Sequence, residues 1–485
     1  MSILNSKVLN RRRAGVLLHP TSLPDAQYGA LGQAARNFVE WLRVGGFTVW
    51  QFLPLGPVGS DRSPYFARSN HAGDPGLVDL ATLAQDGLIA HDRLGAVSRD
   101  ELLAEATLAL QAPGPRREAY ETFRAEAAHW LPDYSLFMAV QARESGRPWW
   151  QWPEALRDRN AAALRKARRE LAVEIARIEA CQYFFYTQWG ALRRYAADRG
   201  VLLFGDVPIY LAPDSVEVWA HRKLFQLDDA GLPTAVAGVP PDYFSVDGQL
   251  WGNPLYRWEE HQRTRFQWWI ERLRAQFALF DLVRIDHFRG LEAYWAVPAG
   301  APTAATGEWR KAPGEALLAA ARKAFGTLEV VAEDLGVITP EVEALRDGQH
   351  LPGMRIAQFG FDGADTNVHV LHNWTANAVG YTGTHDNDTT LGWFRHLDGD
   401  ARQFVADYVG TSQDDVVIGM SRAVLASVAQ LAVIPMQDLL CLGTDARMNL
   451  PGTIEGNWLW KFSWHEVPSW LADRCLGWNH LYGRV

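Results

Sequence analysis

The sequence predicts an α/β chain built as a (β/α)8 TIM barrel, and three observations lead there. Eight short apolar runs recur along the chain, with helical patterns between them. The runs are apolar on both faces, as parallel strands covered by helices must be. Their C-terminal ends carry polar clusters, and that rim is where barrels keep their chemistry.

In order, the runs are residues 14–20, 48–55, 201–210, 281–287, 328–336, 354–361, 378–384 and 431–440. The clusters at their ends are His19-Pro20-Thr21-Ser22, Asp206, Arg284 with Asp286, Glu333-Asp334, His385-Asp386 and Gln437-Asp438. A bundle of helices alone is excluded by these strands. The spacing is uneven. From 56 to 200 the chain carries amphipathic patterns, among them 100–111 and 158–180, over a length too great for one βα connection. It reads as an inserted, mostly helical subdomain between the second and third strands. A second excursion spans 211–280 and holds a Pro/Gly-rich aromatic loop, 237–256, of the kind that covers ligands. The expectation is one catalytic barrel domain over 1–485, with these two insertions and no C-terminal β domain.

Composition narrows the class. At 485 residues, with 48% hydrophobic and 21% charged, the chain can bury a large core. Its 47 basic and 56 acidic residues leave a formal charge of −9, which argues against nucleic acid or an anionic membrane as partner. Cys181, Cys441 and Cys475 are odd in number and far apart. They offer neither a disulfide framework nor a CxxC metal site, so a reducing, cytoplasmic location is expected. Arg11 to Arg13 precede an apolar run of only 14–18, too short for a signal peptide. The apolar run 423–436 is too short to span a bilayer. The 21 tryptophans can fill cores or stack on the flat apolar faces of ligands such as sugar rings. Those in RPWWQWP and GNWLWKF sit in polar, turn-like settings.

The stretch FDLVRIDHFRG, residues 280–290, runs an apolar strand into Arg284, Asp286, His287 and Arg289. Period-two geometry puts Arg284 and Asp286 on one face. A neighbouring guanidinium lowers a carboxylate pKa, so Asp286 is expected to be ionised and able to attack an electrophilic carbon. A purely structural bridge is the alternative. Glu333 in VVAEDLG and Asp386 in GYTGTHDNDTT stand at the ends of other strands. Glu333 and Asp334 point to opposite faces, and Glu333 is the one expected in the barrel mouth, where partial burial raises a Glu pKa enough to make it an acid. Glycosidic bonds need this equipment: a nucleophilic carboxylate and a protonated group about 5–5.5 Å away when configuration is retained. Asp386 with His385 could hold ring hydroxyls, although residues 386–390 could also form a turn and helix cap.

The segments RIDHFRG, AEDLG, GTHDNDTT, GDVPIY, GVPPDYFS with GQLWGNPLY, and ARMNLPGT with GNW together resemble the amylomaltases, bacterial 4-α-glucanotransferases also called disproportionating enzymes. The likeness runs from GVLLHPTSLP to GNWLW, essentially the whole chain. It implies a glycosyltransferase of carbohydrate metabolism, acting on maltooligosaccharides and starch- or glycogen-type α-1,4-glucans with glucose as an acceptor. By position it implies Asp286 as nucleophile, Glu333 as acid/base and Asp386 as transition-state stabiliser. Arg284 and His385 would support the nucleophile and the sugar, and Asp206 would bind hydroxyls. Tyr243 and Phe244 would sit in the loop over the site. Ser63, Pro64 and Tyr65 match the family's SPY segment, with Tyr65 a sugar platform, while Trp251 and Asn457 fall at lining positions. No cofactor and no metal are implied. The chain departs from the family at FARSNHAGDP after SPY and over 364–378.

Two other readings fit parts of the sequence, and two more do not. An α-1,4-glucan hydrolase would use the same site on water. A silent glucan-binding protein would keep the barrel and aromatics. A phosphorylase or a metal enzyme lacks its signature, since His369 and His372 fit a loop better than a ligand pair.

Overall fold

Residues 6–241 and 246–485 are described by the computed structural model. In chain order the strands are β1 (Arg13–Leu17), β2 (Val49–Gln51), β3 (Leu202–Pro208), β4 (Ala235–Val239), β5 (Gln249–Pro254), β6 (Leu282–Asp286), β7 (Ala293–Pro298), β8 (Glu308–Lys311), β9 (Val330–Ala332), β10 (Gly353–Ile356), β11 (Ala378–Tyr381) and β12 (Leu431–Pro435). Eight of them form one parallel sheet in the order β10-β11-β12-β1-β2-β3-β6-β9. Each corresponds to one of the eight apolar runs. The runs overreach at their ends: residues 357–360 are a 3-10 turn and Met436–Leu439 a helical turn, so the extended segments are shorter than the apolar ones.

Period-two alternation builds the barrel interior. Leu17, Val49, Phe204, Leu282, Val331, Met354, Val379 and Leu431 form one buried cluster. Their alternate neighbours Val16, Trp50, Leu203 and Val283 pack outward in a separate core. Continuing two residues along three inward rows gives Asp206 after Phe204, Arg284 and Asp286 after Leu282, and Glu333 after Val331. The hydrophobic pattern therefore aims the polar groups into the mouth.

The seam between β9 and β10 is closed differently. The Ala332 N–H donates to the Pro352 carbonyl at 2.9 Å, and the Met354 N–H donates to Asp334 Oδ1 at 2.6 Å. Asp334 is buried and also pairs with Arg346 and, at 3.3 Å, with Arg355. Here one side chain does what a strand ladder does elsewhere.

Helices fill the long connection between β2 and β3. Arg99–Ala109 starts with a capping box from Ser98 and Glu101. The pattern over 158–180 is broken at Leu171 into Ala161–Glu170 and Ala172–Ala197. The second of these is a 26-residue helix that ties the excursion to the barrel. Its Gln182 exchanges two hydrogen bonds with the Gly73 backbone, each 2.9 Å, and its Trp189 packs between Phe52 and Phe280. Trp149 and Trp152 of RPWWQWP are buried core residues, so that cluster packs and faces no ligand.

A second, antiparallel sheet in the order β5-β4-β7-β8 has no counterpart in the sequence reading. It draws β4 and β5 from before β6 and β7 and β8 from after it. The β4–β7 pairing that joins its two halves spans that separation and leaves no local periodic mark in the sequence. Among the described residues no helix is long and apolar enough to cross a membrane.

Asp334→Ala should lower stability by about 3–5 kcal/mol, because it takes the carboxylate from buried Arg355 and leaves Arg346 only its exposed neighbour Asp347. Chemical denaturation measures this. An unchanged midpoint would mean the Ala332–Pro352 bond closes the seam unaided.

Candidate active site

Arg284 is the hub of the mouth. Asp206 and Arg284 are register partners on adjacent strands, so the guanidinium lies beside the Asp206 carboxylate, while Asp286 follows it two residues along the same inward row. Arg284 Nη1 donates to Asp206 Oδ2 and Nη2 to Asp286 Oδ1. Arg284 and Asp206 are buried, while the Asp286 side chain keeps 28% of its surface open to the mouth.

The expected effect of Arg284 on Asp286 is present, but it does not win. Burial, first, and then the charges of Asp206 and Asp386 lift Asp286 to about 6 against the pull of Arg284. The sequence shows the favourable neighbour; desolvation by the folded barrel is invisible to it. At pH 7 Asp286 is still mainly ionised.

Glu333 sits across from it. Its backbone is tied to the end of β6: the Glu333 N–H donates to the Ile285 carbonyl at 3.1 Å, and the Phe288 N–H to the Glu333 carbonyl at 3.1 Å. His287 then turns into the left-handed region at φ 51°, and its N–H donates to Glu333 Oε2 at 2.5 Å. The Leu335 N–H donates to Oε1 at 2.9 Å. Burial, then the Asp286 charge, raises Glu333 to about 8 in spite of Arg284 and those two donors. Two carboxyl groups at one mouth thus hold different protonation states at neutral pH, one anion and one acid.

Asp386 completes the wall on the other side. Its Oδ1 accepts from Asn449 Nδ2 at 2.6 Å, and its carbonyl accepts from Arg447 at 2.6 Å. His385 Nε2 lies 3.3 Å from Asp386 Oδ2, and burial holds the imidazole pKa below its usual value. Tyr65 arrives on a 3-10 turn, donates its hydroxyl to Asp206 Oδ2 at 2.7 Å and stacks on His385 with ring centres 5.2 Å apart. The turn-and-cap alternative for 386–390 also holds in part: the Thr389 hydroxyl caps helix Thr390–His396, leaving Asp386 free for the mouth.

Other expected residues fall in several places. Trp251 stands edge-on to His287 at 4.7 Å, beside the acid. Ser63 only starts the turn that delivers Tyr65, its N–H donating to Asp61 at 3.3 Å. Asn457 makes its contacts within the 449–458 loop. Its amide is spent inside its own loop, on the Leu450 N–H and on Thr453. Tyr243 and Phe244 lie outside the described residues. His369 Nδ1 accepts the Ile356 N–H, and His372 Nδ1 meets the Tyr408 hydroxyl at 2.9 Å. Among the described residues no cluster of three His, Cys, Asp or Glu could hold a metal ion.

Sequence reasoning passed over Arg447 and Asn449, and it marked Trp458 only as one of several turn-set tryptophans able to stack on a sugar ring. All three lie in the quoted ARMNLPGT and GNW segments, and the signal was there in the density of polar and aromatic residues beside Asn457. The donor carboxamide of Asn449 could not be matched to Asp386, 63 residues earlier, without the fold.

Known proteins resemble the chain over most of its length. A family profile described as 4-alpha-glucanotransferase matches residues 18–466. A 4-alpha-glucanotransferase of Thermus thermophilus is 48% identical over 472 residues, covering 93% of this chain and 94% of that one. One from Synechocystis is 42% identical over 499 residues, covering 98% and 99%. The structure of an amylomaltase from Streptococcus agalactiae in complex with acarbose superposes with a TM-score of 0.95 at 35% identity, covering 98% of this chain and 100% of that one. An amylomaltase from Corynebacterium glutamicum shares the fold at a TM-score of 0.75 and 18% identity, covering 99% and 75%.

The raised pKa of Glu333 depends on the Asp286 charge, so Asp286→Asn should move the Glu333 titration down from about 8. A carboxyl-labelled NMR titration of both proteins reads this directly. No movement would mean that burial alone sets the acid.

Proposed function

The chain belongs to the 4-alpha-glucanotransferase family, and from that premise we propose how its residues carry the transfer. Asp286 attacks the anomeric carbon of the donor glucan while Glu333 protonates the departing glycosidic oxygen. The C–O bond to the leaving chain breaks as the Asp286–carbon bond forms, giving a covalent glucosyl-enzyme. Glu333, now a carboxylate, takes the proton from the 4-hydroxyl of an acceptor, which displaces Asp286 and restores the acid. Two inversions give net retention of configuration.

The observation that carries this reading is the contrasting setting of two carboxyls at one mouth: Asp286 lies on the Arg284 guanidinium and Glu333 on the His287 and Leu335 N–H groups, with burial lifting Glu333 to about 8 and Asp286 only to about 6. A nucleophile must be ionised and a general acid protonated at the same pH. Asp386, held by Asn449 and flanked by His385, would take the ring hydroxyls and the charge that develops on the sugar. Asp206 and Arg284 hold Asp286 in place, and Tyr65 offers a ring face. Maltooligosaccharides and longer α-1,4-glucans are the donors, and glucose or a second glucan is the acceptor. Excluding water from the glucosyl-enzyme favours transfer over hydrolysis. The chain would work as a single barrel unit, with the excursions 56–200 and 211–280 as its insertions and loop 237–256 over the mouth, in the cytoplasm.

Incubation with maltotriose should give glucose and a ladder of longer chains at a constant number of reducing ends. Rising reducing ends without longer chains would make the protein a hydrolase. Glu333→Gln should lower kcat by about 10²–10⁴-fold and Asp286→Asn by at least as much. The pH profile of kcat/KM should be a bell: activity is lost below about 6 as Asp286 protonates, and above about 8 as Glu333 loses its proton. A flat profile across that range would remove both assignments.

A further inference from the structure

Trp458 holds a backbone conformation that a large side chain rarely adopts. Its φ is 63°, in the left-handed region, where a bulky residue is strained. Glycine occupies that region without penalty, and Gly456 two residues earlier does so at φ 80°. A tryptophan kept at such a point asks for a reason.

Its surroundings supply one. Backbone contacts fix the loop from both ends, with the Trp458 N–H donating to the Met448 carbonyl at 2.8 Å and the Asn457 amide binding Leu450 and Thr453. The same loop carries Asn449 to Asp386. The Trp458 ring is only partly buried and lies 6.0 Å from both the Tyr65 and the His385 rings, tilted by 43° and 37°. Three aromatic rings therefore meet at the Asp386 side of the mouth. The acid, Glu333, keeps separate company: it takes the His287 N–H, and Trp251 stands edge-on to the His287 ring.

We propose that Trp458 is a sugar platform on the donor side of the scissile bond, stacking on a glucose ring of the chain that becomes attached to the enzyme. The proposal deepens the transferase reading and rests on it for the direction of the substrate. A flat indole face suits the apolar face of a pyranose, and the strained backbone holds the ring in place before substrate arrives, so little ordering is left to be done on binding. Trp251, beside the acid, would serve the leaving chain and the acceptor.

Two measurements test it. In a Glu333→Gln background, calorimetric titration with maltotriose should show about tenfold weaker binding when Trp458→Gly is added, equivalent to about 1.4 kcal/mol. Trp458→Leu keeps apolar bulk without a flat face and should lose as much. Trp458→Gly should melt no lower than Trp458→Ala, because glycine accepts the left-handed φ. Binding within about twofold of the parent in both variants would overturn the platform. In otherwise wild-type protein, the KM for maltotriose as donor should rise in Trp458→Leu while the KM for labelled glucose as acceptor stays within about twofold. An equal rise in both would show that Trp458 merely shapes the loop. If the wild-type protein bound maltotriose but gave no longer chains, the transferase reading would fall, and the binding comparison would still decide whether Trp458 holds sugar.

Discussion

One buried guanidinium organises the site. Arg284 joins Asp206 to Asp286 across two adjacent strands, and nearly everything else hangs from that bridge. Asp206, so held, accepts the Tyr65 hydroxyl; Tyr65 then stacks on His385, and His385 leans on Asp386. Burying three charges is costly, and a planar fork with two fixed donors recovers much of that cost by meeting two carboxylates at once. A lysine at this position has no such fork and could not keep both partners in register.

The bridge also leaves an excess of negative charge, with consequences for acidity. Arg284 neutralises one of the two carboxylates it touches, while burial acts on all of them. Desolvation heads the causes for Asp206, Asp286 and Glu333 alike, and it raises each. The group without its own guanidinium, Glu333, rises further. Two backbone donors hold its carboxyl in place without undoing the effect of burial. A single environment thereby yields an anion and an acid at the ends of two adjacent strands.

Much of this could be read from the sequence because it follows from period two. The eight apolar runs became the eight barrel strands, and the inward rows carried Asp206, Arg284, Asp286 and Glu333 to the mouth as alternation demands. What could not be read is what joins distant segments. The antiparallel sheet pairs strands on opposite sides of β6, and Asn449 reaches Asp386 from another loop altogether. Asn457 shows a second duty that a motif hides: its side chain serves the loop's own backbone, which also carries Asn449. The sign of the Asp286 shift was missed for a similar reason. A neighbour two residues away is visible in a sequence, and the removal of solvent is not.

Glu333 and Asp334 are adjacent acids with unrelated duties. One faces the mouth, where two backbone N–H groups hold its carboxyl, and the other faces the seam, where it replaces a missing rung between β9 and β10. Because successive residues of an extended chain face opposite ways, insertion or deletion of a single residue just before them would exchange the two. The Glu333 carboxyl would then point at two arginines, and the seam would lose its clasp. Over evolutionary time the length of this short strand should therefore be more tightly fixed than its composition. Drift in residue identity there is tolerable, and drift in residue count is not.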